Sequence, residues 1–173
     1  TMAFITNATA GQMYFSASGN LGIGVTPEVT NSDYDALQLG GNGYWNSYST
    51  QGASGQMDFG HNFYHNAAGN DVYISTDEAT QYRQGGGTHR FKVAASGSAD
   101  ATISWTEALI ILSSGNVGIG TTSPSEMLTV QGTSATILVT DTDSAGTLKL
   151  FDASTGATGT DCGVIFFDAK DSD

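Results

Sequence analysis

The chain contains Ser18-Gly-Asn-Leu-Gly-Ile-Gly-Val-Thr-Pro27 and, further on, Ser114-Gly-Asn-Val-Gly-Ile-Gly-Thr-Thr-Ser-Pro124, two copies of one motif that we call joints. A short apolar run follows each joint, Ala36-Leu-Gln-Leu-Gly40 after the first and Met127-Leu-Thr-Val-Gln-Gly132 after the second. A motif that returns with similar sequence after it predicts a chain built from successive units. This organisation is typical of elongated β structures and makes a compact enzyme a poor candidate.

Each joint places one isoleucine between two glycines. Glycine tolerates a positive φ and allows another backbone to approach closely, while the proline that follows ends the element and fixes the exit direction. We expect each joint to be a point of close backbone approach, with its aliphatic side chains packed around it. The residues predicted for this role are Leu21, Gly22, Ile23 and Gly24 in the first joint and Val117, Gly118, Ile119 and Gly120 in the second.

The composition fits short strands connected by tight turns. Only 13% of the 173 residues are charged, 23 are glycine and 17 are aromatic, which favours an ordered all-β chain over a disordered one. The net charge of −12 repels phosphate backbones, so nucleic-acid binding is excluded, and the same charge disfavours adhesion to anionic lipid. Without a long apolar stretch, no membrane insertion is expected, and no cofactor is predicted.

Apolar and aromatic runs predict the strands, and almost no helix is expected. Ala108–Ser113 is apolar at successive positions and is expected to be buried on both faces. Asp77–Thr88 has few apolar residues and three consecutive glycines, so we expect a mobile surface loop. We divide the chain into the end of an upstream unit (1–17), a first joint with a central β module (18–112), and a second joint with an incomplete β module (113–173). The remaining expected strands are 3–6, 12–16, 36–40, 44–48, 56–59, 63–64, 72–75, 90–93, 127–132, 136–140, 147–151 and 163–167.

Gly115-Asn-Val-Gly-Ile-Gly-Thr-Thr-Ser-Pro124, with Met127-Leu-Thr-Val130 after it, resembles the repeat joints of bacteriophage tail fibres and related receptor-binding fibres. The copy at Gly19–Pro27 fits the same pattern with one residue fewer before the proline. The resemblance implies a parallel homotrimer whose chains intertwine at the joints and bulge into β modules between them. It also implies a structural, non-enzymatic role in host attachment, on a virion appendage outside the cell.

Three further motifs fit weaker alternatives. Gly22-Ile-Gly24 and its second copy lack the third glycine and the helix of a dinucleotide fingerprint. His61 and His65 would lie roughly 13 Å apart on one strand, which is too far for both to bind one metal ion. Three copies of either histidine around a threefold axis could still bind an ion. Asp141–Asp152 begins like a calcium loop but carries alanine at the fifth position, which favours a hairpin turn. No metal site is predicted.

The central module leaves two other functions open. A glycan-binding module would stack sugars on aromatic side chains, with Tyr44, Trp45, Tyr48 and Tyr64 as the candidate contacts. A polysaccharide depolymerase would need two carboxylates about 5–9 Å apart in a groove. No carboxylate pair stands out in the sequence, and no catalytic residue is predicted. The available carboxylates are Asp33, Asp35, Asp58, Asp71, Asp77 and Glu78.

Overall fold

A computed structural model of the chain describes residues 2–4, for the backbone alone, and residues 13–48 and 55–137 in full. The described residues form strands and turns and contain no helix, so the all-β prediction is confirmed. The strands, in chain order, are β1 (Met2–Phe4), β2 (Met13–Phe15), β3 (Leu21–Ile23), β4 (Tyr34–Leu39), β5 (Gly43–Tyr48), β6 (Gln56–His61), β7 (Phe63–His65), β8 (Asp71–Tyr73), β9 (Asp77–Gly85), β10 (Thr88–Gly97), β11 (Thr106–Ile111), β12 (Val117–Ile119) and β13 (Leu128–Val130).

Eleven of the described strands form one mixed sheet, and β7 pairs with β8 in a separate hairpin. Strand order in the sheet follows the sequence, with β9 beside β6 where the hairpin is inserted. Neighbouring strands are antiparallel except at two places, where β3 pairs with β4 and β12 pairs with β13 in parallel. Each parallel pair joins a joint to the strand that follows it. The sheet between the joints is therefore an antiparallel meander, as the sequence predicts.

The prediction of a mobile loop over Asp77–Thr88 is wrong. Residues 77–85 form β9, which pairs with β6 on one side and β10 on the other. Gly86 and Gly87 both have positive φ, 57° and 72°, and connect Gly85 to its partner Thr88. A two-residue connection with both residues at positive φ is the type I′ hairpin turn. The glycine run therefore makes a tight turn between two long strands, and β9 is short of apolar residues because its inward-facing side chains are largely polar.

The apolar core lies between one face of the sheet and the β7–β8 hairpin. Phe63 is fully buried at its centre, where its ring meets the edges or faces of Tyr44 and Trp105 at centroid distances of 5.2 and 5.7 Å. The hairpin is held in place by Asn62, whose side chain donates to the carbonyls of Ser75 and Glu78. The other buried members are Ala36, Tyr64, Val72, Tyr73, Ala79, Ala94 and Ile103.

The expectation that Ala108–Ser113 is buried on both faces is also wrong for the described chain. Ile110 is buried, whereas its neighbours Leu109 and Ile111 are half-buried and Ala108 is exposed. The reason is that Leu109 and Ile111 point to the side of the sheet opposite Ile110, and no described element covers that side over them.

The chain divides into two compact units, residues 1–135 and 136–173, and the first contains both joints. The strands predicted at 147–151 and 163–167, the calcium-like segment and Cys162 lie outside the described residues. The strand predicted at 136–140 also falls outside them, apart from residues 136 and 137. Among the described residues, no helix has the length and apolar character to cross a membrane.

Candidate functional site

The first joint is a tight turn followed by a three-residue strand. The Ser16 N–H donates to the carbonyl of Asn20 at 2.8 Å, and Gly19 in the turn has a φ of 90°. The strand β3 then runs antiparallel to β2 and parallel to β4, and the Gly40 N–H donates to the Ile23 carbonyl at 2.9 Å. The joint is thus the point at which the sheet changes from antiparallel to parallel pairing.

The second joint repeats this geometry. The Leu112 N–H donates to the carbonyl of Asn116 at 2.9 Å, and Gly115 in the turn again has a φ of 90°. The strand β12 runs antiparallel to β11 and parallel to β13, and the Gln131 N–H donates to the Ile119 carbonyl at 2.9 Å. Two segments with similar sequence therefore form the same local structure, with the same hydrogen bonds at equivalent positions.

The asparagine of each joint ties the turn to the segment after the strand. Asn20 Nδ2 donates to the carbonyl of Glu28 at 3.1 Å, and Asn116 Nδ2 donates to that of Pro124 at 3.2 Å. The central glycines are equally constrained, because an added Cβ would lie 2.1 Å from the Val25 carbonyl oxygen at Gly22 and 2.6 Å from that of Thr121 at Gly118. Such approaches exclude any side chain. The sequence therefore identifies these glycines correctly as points of close backbone approach.

One row of cross-strand neighbours runs across the sheet from β2 to β13 and takes one residue from each of ten strands. Residues paired in this way project to the same face, and every residue in the row is apolar or aromatic. At about 4.8 Å per strand, the row extends roughly 43 Å along the sheet. Its members are Phe15, Leu21, Leu37, Trp45, Phe59, Tyr82, Phe91, Leu109, Ile119 and Val130.

This apolar row is not covered by the described chain. The Phe59 side chain is 57% exposed and that of Trp45 is 45% exposed. Ile23 and Val117 lie on the same face, since each stands two residues along its strand from a member of the row. The four aliphatic residues predicted for joint packing are thus brought to one continuous apolar face.

The opposite face of the sheet carries a buried network of charges. Asp58, fully buried on β6, accepts hydrogen bonds from Arg83 Nε at 2.7 Å and Nη2 at 3.2 Å. His65 on β7 contacts both carboxylates. Its Nε2 lies 2.9 Å from Asp58 Oδ2, and its Nδ1 forms an ion pair with Asp71 Oδ1 at 2.5 Å. Trp105 Nε1 donates to Asp71 at 2.7 Å. The network therefore fastens the β7–β8 hairpin to the sheet.

The network shifts the pKa values of its members. Burial alone would lower the pKa of His65, but the two carboxylates at its ring nitrogens outweigh burial and raise that pKa above its usual value. Burial would raise the pKa of Asp71, but hydrogen bonding to His65 and the positive charges of His65 and Arg83 lower it. Two carboxylates and two cations then balance when His65 is protonated.

The sequence places none of Asp58, His65, Asp71 and Arg83 in a network. It considers His65 only together with His61 as a metal candidate, and it identifies no partner for Asp58 or Asp71. In the structure His65 is 3% exposed with its ring stacked on Tyr34 at 4.3 Å, and Asp58 and Asp71 lie on the strands β6 and β8. Asn62, with a φ of 59°, separates His61 from His65. In the part of the chain that the structure describes, no group of His, Cys, Asp and Glu is arranged to hold a metal.

The four aromatic residues predicted as glycan contacts lie in different environments. Tyr44 and Trp45 project to opposite faces of β5, Tyr44 into the core and Trp45 onto the apolar face. Tyr64 is buried and donates from its hydroxyl to Asp100 at 2.9 Å. Tyr48 packs edge-on against Tyr34 at 5.3 Å. The structure therefore does not assemble them into one stacking surface.

The carboxylates available for a depolymerase are also separated by environment. Asp58 is buried and Asp71 is largely buried, and both are held by Arg83 and His65. The other four are exposed, with Asp33 and Asp35 near the start of β4 and Asp77 and Glu78 at the start of β9. The paired carboxylates are thus already neutralised by internal cations.

Comparison with known proteins names no family for this chain. No protein-family model matches it, and no curated protein matches it. The features that remain for a functional interpretation are the two joints of equal geometry, the apolar face that runs between them, and the charged face behind it.

Proposed function

We propose that this chain is a structural segment of a trimeric virion appendage, a phage tail fibre or a similar receptor-binding fibre, and that it acts as a shaft or spacer in host attachment. Three copies pack their apolar faces against one another around a common axis. The charged faces and hairpins then point outward. This arrangement needs no catalytic residue and no cofactor.

The uncovered apolar row is the observation that carries the proposal. Monomeric soluble proteins seldom expose a continuous apolar surface beyond a few hundred Å², and this row takes a residue from ten strands of the sheet. The row contains no charged residue, so identical rows meet without burying unpaired charge. Further copies of the same chain are therefore suitable occupants, because each brings a matching apolar face and removes the other faces from water.

The joints support the same arrangement. Their aliphatic residues Leu21 and Ile119 belong to the apolar row, one near each end of the described sheet. Burying them between copies would stabilise short strands that have few neighbours of their own. The sequence resemblance of the joints to those of phage fibres gives the number of copies as three.

Native mass spectrometry of the whole chain tests the proposal directly. We expect the mass of three copies, and we expect Phe59→Glu to shift the population toward single chains because it places a charge in the centre of the apolar face. Val29→Glu is a matched control, since Val29 is 68% exposed and lies outside the strands. The control should remain trimeric.

A single-chain mass for the unaltered protein at micromolar concentration would overturn the proposal. An equal response of the Phe59 and Val29 variants would also overturn it, because the apolar face would then have no special part in assembly. A stable dimer would support self-association through the apolar face but would contradict the trimer.

A further inference from the structure

The cations of the described residues are gathered in one place on the charged face of the sheet. The chain has two arginines and three lysines. Both arginines and the one lysine among the described residues lie on the adjacent strands β9 and β10, as Arg83, Arg90 and Lys92. In a chain of net charge −12, this is a local reversal of sign. Burial lowers the pKa of Lys92, and the nearby charge of Arg83 lowers it further.

Arg83 and Arg90 are direct cross-strand partners and line a common cavity of about 310 Å³. Like charges placed opposite each other in a sheet are destabilising unless something offsets them. The rest of the lining includes Gln56, Thr88 and the backbone of Gly85 and Gly86. The cavity is therefore polar, positively charged and large enough for a ligand of about one sugar ring.

Internal partners satisfy only part of each guanidinium group. Arg83 donates from Nε and Nη2 to Asp58, and Arg90 donates from Nη1 to Glu107 at 2.8 Å and from Nε to Thr88 Oγ1 at 3.3 Å. Within residues 13–48 and 55–137, neither Arg83 Nη1 nor Arg90 Nη2 has a hydrogen-bond partner. Each arginine thus keeps one donor nitrogen while its other nitrogens fix its position.

We propose that this cavity is an anion-binding subsite that takes a compact oxyanion, the carboxylate of an acidic sugar or a phosphate group, between the two guanidinium groups. Guanidinium groups recognise both oxyanions through charge-assisted hydrogen bonds. The anion takes the donor nitrogens that Asp58 and Glu107 leave free on the two arginines, and the glycines of the hairpin turn give it access.

The subsite does not depend on the proposed assembly. Arg83 directly follows Tyr82, and Arg90 directly precedes Phe91. Because Tyr82 and Phe91 belong to the apolar row, the two arginines project to the opposite face of the sheet. A face that packs against other copies leaves this cavity open, and a chain that does not assemble still contains it.

The two arginines make a direct binding measurement feasible. Arg83 and Arg90 supply the two Nε–Hε signals of a ¹⁵N-labelled protein, and these are followed by NMR during titration of the whole chain with glucuronate, inorganic phosphate or glucose. We expect saturable shifts of both signals with at least one of the anions and none with glucose, which is uncharged. A response to glucuronate but not phosphate identifies the sugar acid as the source of the oxyanion, and the reverse result identifies phosphate.

Two variants with opposite expected effects sharpen the test. Arg90→Gln should weaken binding about tenfold or more, as expected for the loss of one charge-assisted hydrogen bond, and the remaining Arg83 signal reports it. Glu107→Gln should tighten binding because it removes the carboxylate that competes for Arg90. Absence of a saturable response to either anion would overturn the inference, as would unchanged affinity in Arg90→Gln or weaker binding in Glu107→Gln.

Discussion

The two faces of the eleven-stranded sheet differ in what covers them and in the side chains that they bury or expose. The face under the β7–β8 hairpin buries Gln38, Asn46, Asp58 and Gln81, each 3% exposed or less. The other face presents an apolar row to the outside. In most single-copy antiparallel sheets the apolar side is the covered one.

The difference shows that the two faces are stabilised by different means. The charged face is closed within one chain, because the hairpin packs Phe63 into the core on this face and joins Asp58 through His65. The apolar face needs no specific partner atom and is stabilised by removal from water alone. Changes on the charged face should therefore affect each chain directly, whereas changes on the apolar face should depend on association.

The largest effect is expected on the charged face. Asp58→Asn leaves Arg83 and His65 buried without their shared carboxylate, and we expect a loss of about 3–5 kcal/mol in the free energy of unfolding, the range for breaking a buried ion pair. Asp33→Asn is the matched control, an exposed position in the turn before β4, with an expected change within about 0.5 kcal/mol. Urea unfolding measures both, and equal losses would show that the network adds nothing to stability.

The joint glycines on the charged face come next. Gly22→Ala and Gly118→Ala force a methyl group against a carbonyl oxygen, so we expect each to cost about 2–4 kcal/mol. Gly41→Ala, where an added Cβ would meet nothing within 4 Å, should be neutral or slightly stabilising. Thermal unfolding compares the three, and unchanged melting of the two joint variants would mean that the backbones do not approach as closely as described.

A smaller effect is expected from pH. Because the folded state raises the pKa of His65, its stabilisation is complete below about pH 6.5, the usual histidine value, and is lost as the pH rises through the raised pKa. The lowered pKa of Asp71 acts at the other end, where stability falls as the pH drops below about 3.9. His65→Gln should remove the loss above pH 6.5, and the exposed His61→Gln should retain it. Urea unfolding as a function of pH distinguishes them.

The smallest signal concerns the apolar face and uses Trp45. In a Trp105→Phe background, Trp45 is the remaining tryptophan, and its fluorescence should be poorly quenched by iodide because neighbouring copies cover it. Adding Phe59→Glu should make it quenchable. Strong quenching before that second change would show that the apolar face is open to solvent, and the contrast between the faces would then lose its explanation.

The sequence is sufficient to predict the parts of the fold that depend on local patterns. Gly22 and Gly118 are recognisable because glycine recurs in the same short motif, and most strands between the joints are visible as apolar or aromatic runs. The long strand β9 is missed because its alternating pattern, from Ala79 through Gln81 to Arg83, places polar side chains on a buried face. A pattern rule that assumes apolar residues inside cannot recognise such a strand.

The charged network is missed for a different reason. Asp58, His65, Asp71 and Arg83 are on four strands, and no spacing between them in the sequence reflects their contact. Asn62 at positive φ turns the chain so that β7 folds back over the sheet. The apolar row is equally hard to recognise in the sequence, because its members become neighbours only when ten strands pair in register. Both features require long-range pairing that a linear pattern does not contain.

The direction of the strands has a consequence for how such a chain changes over evolutionary time. From β4 to β12 the sheet contains six antiparallel pairings in succession. Because six is even, β12 in the second joint runs in the same direction as β4, the strand that follows the first joint. The β7–β8 hairpin adds two more strands and preserves this parity. Whole hairpins can therefore be gained, lost or exchanged between joints, and units can be duplicated in tandem, without inverting the next joint. A single added strand would reverse the direction of the next joint. We therefore expect such chains to gain or lose strands two at a time, as hairpins.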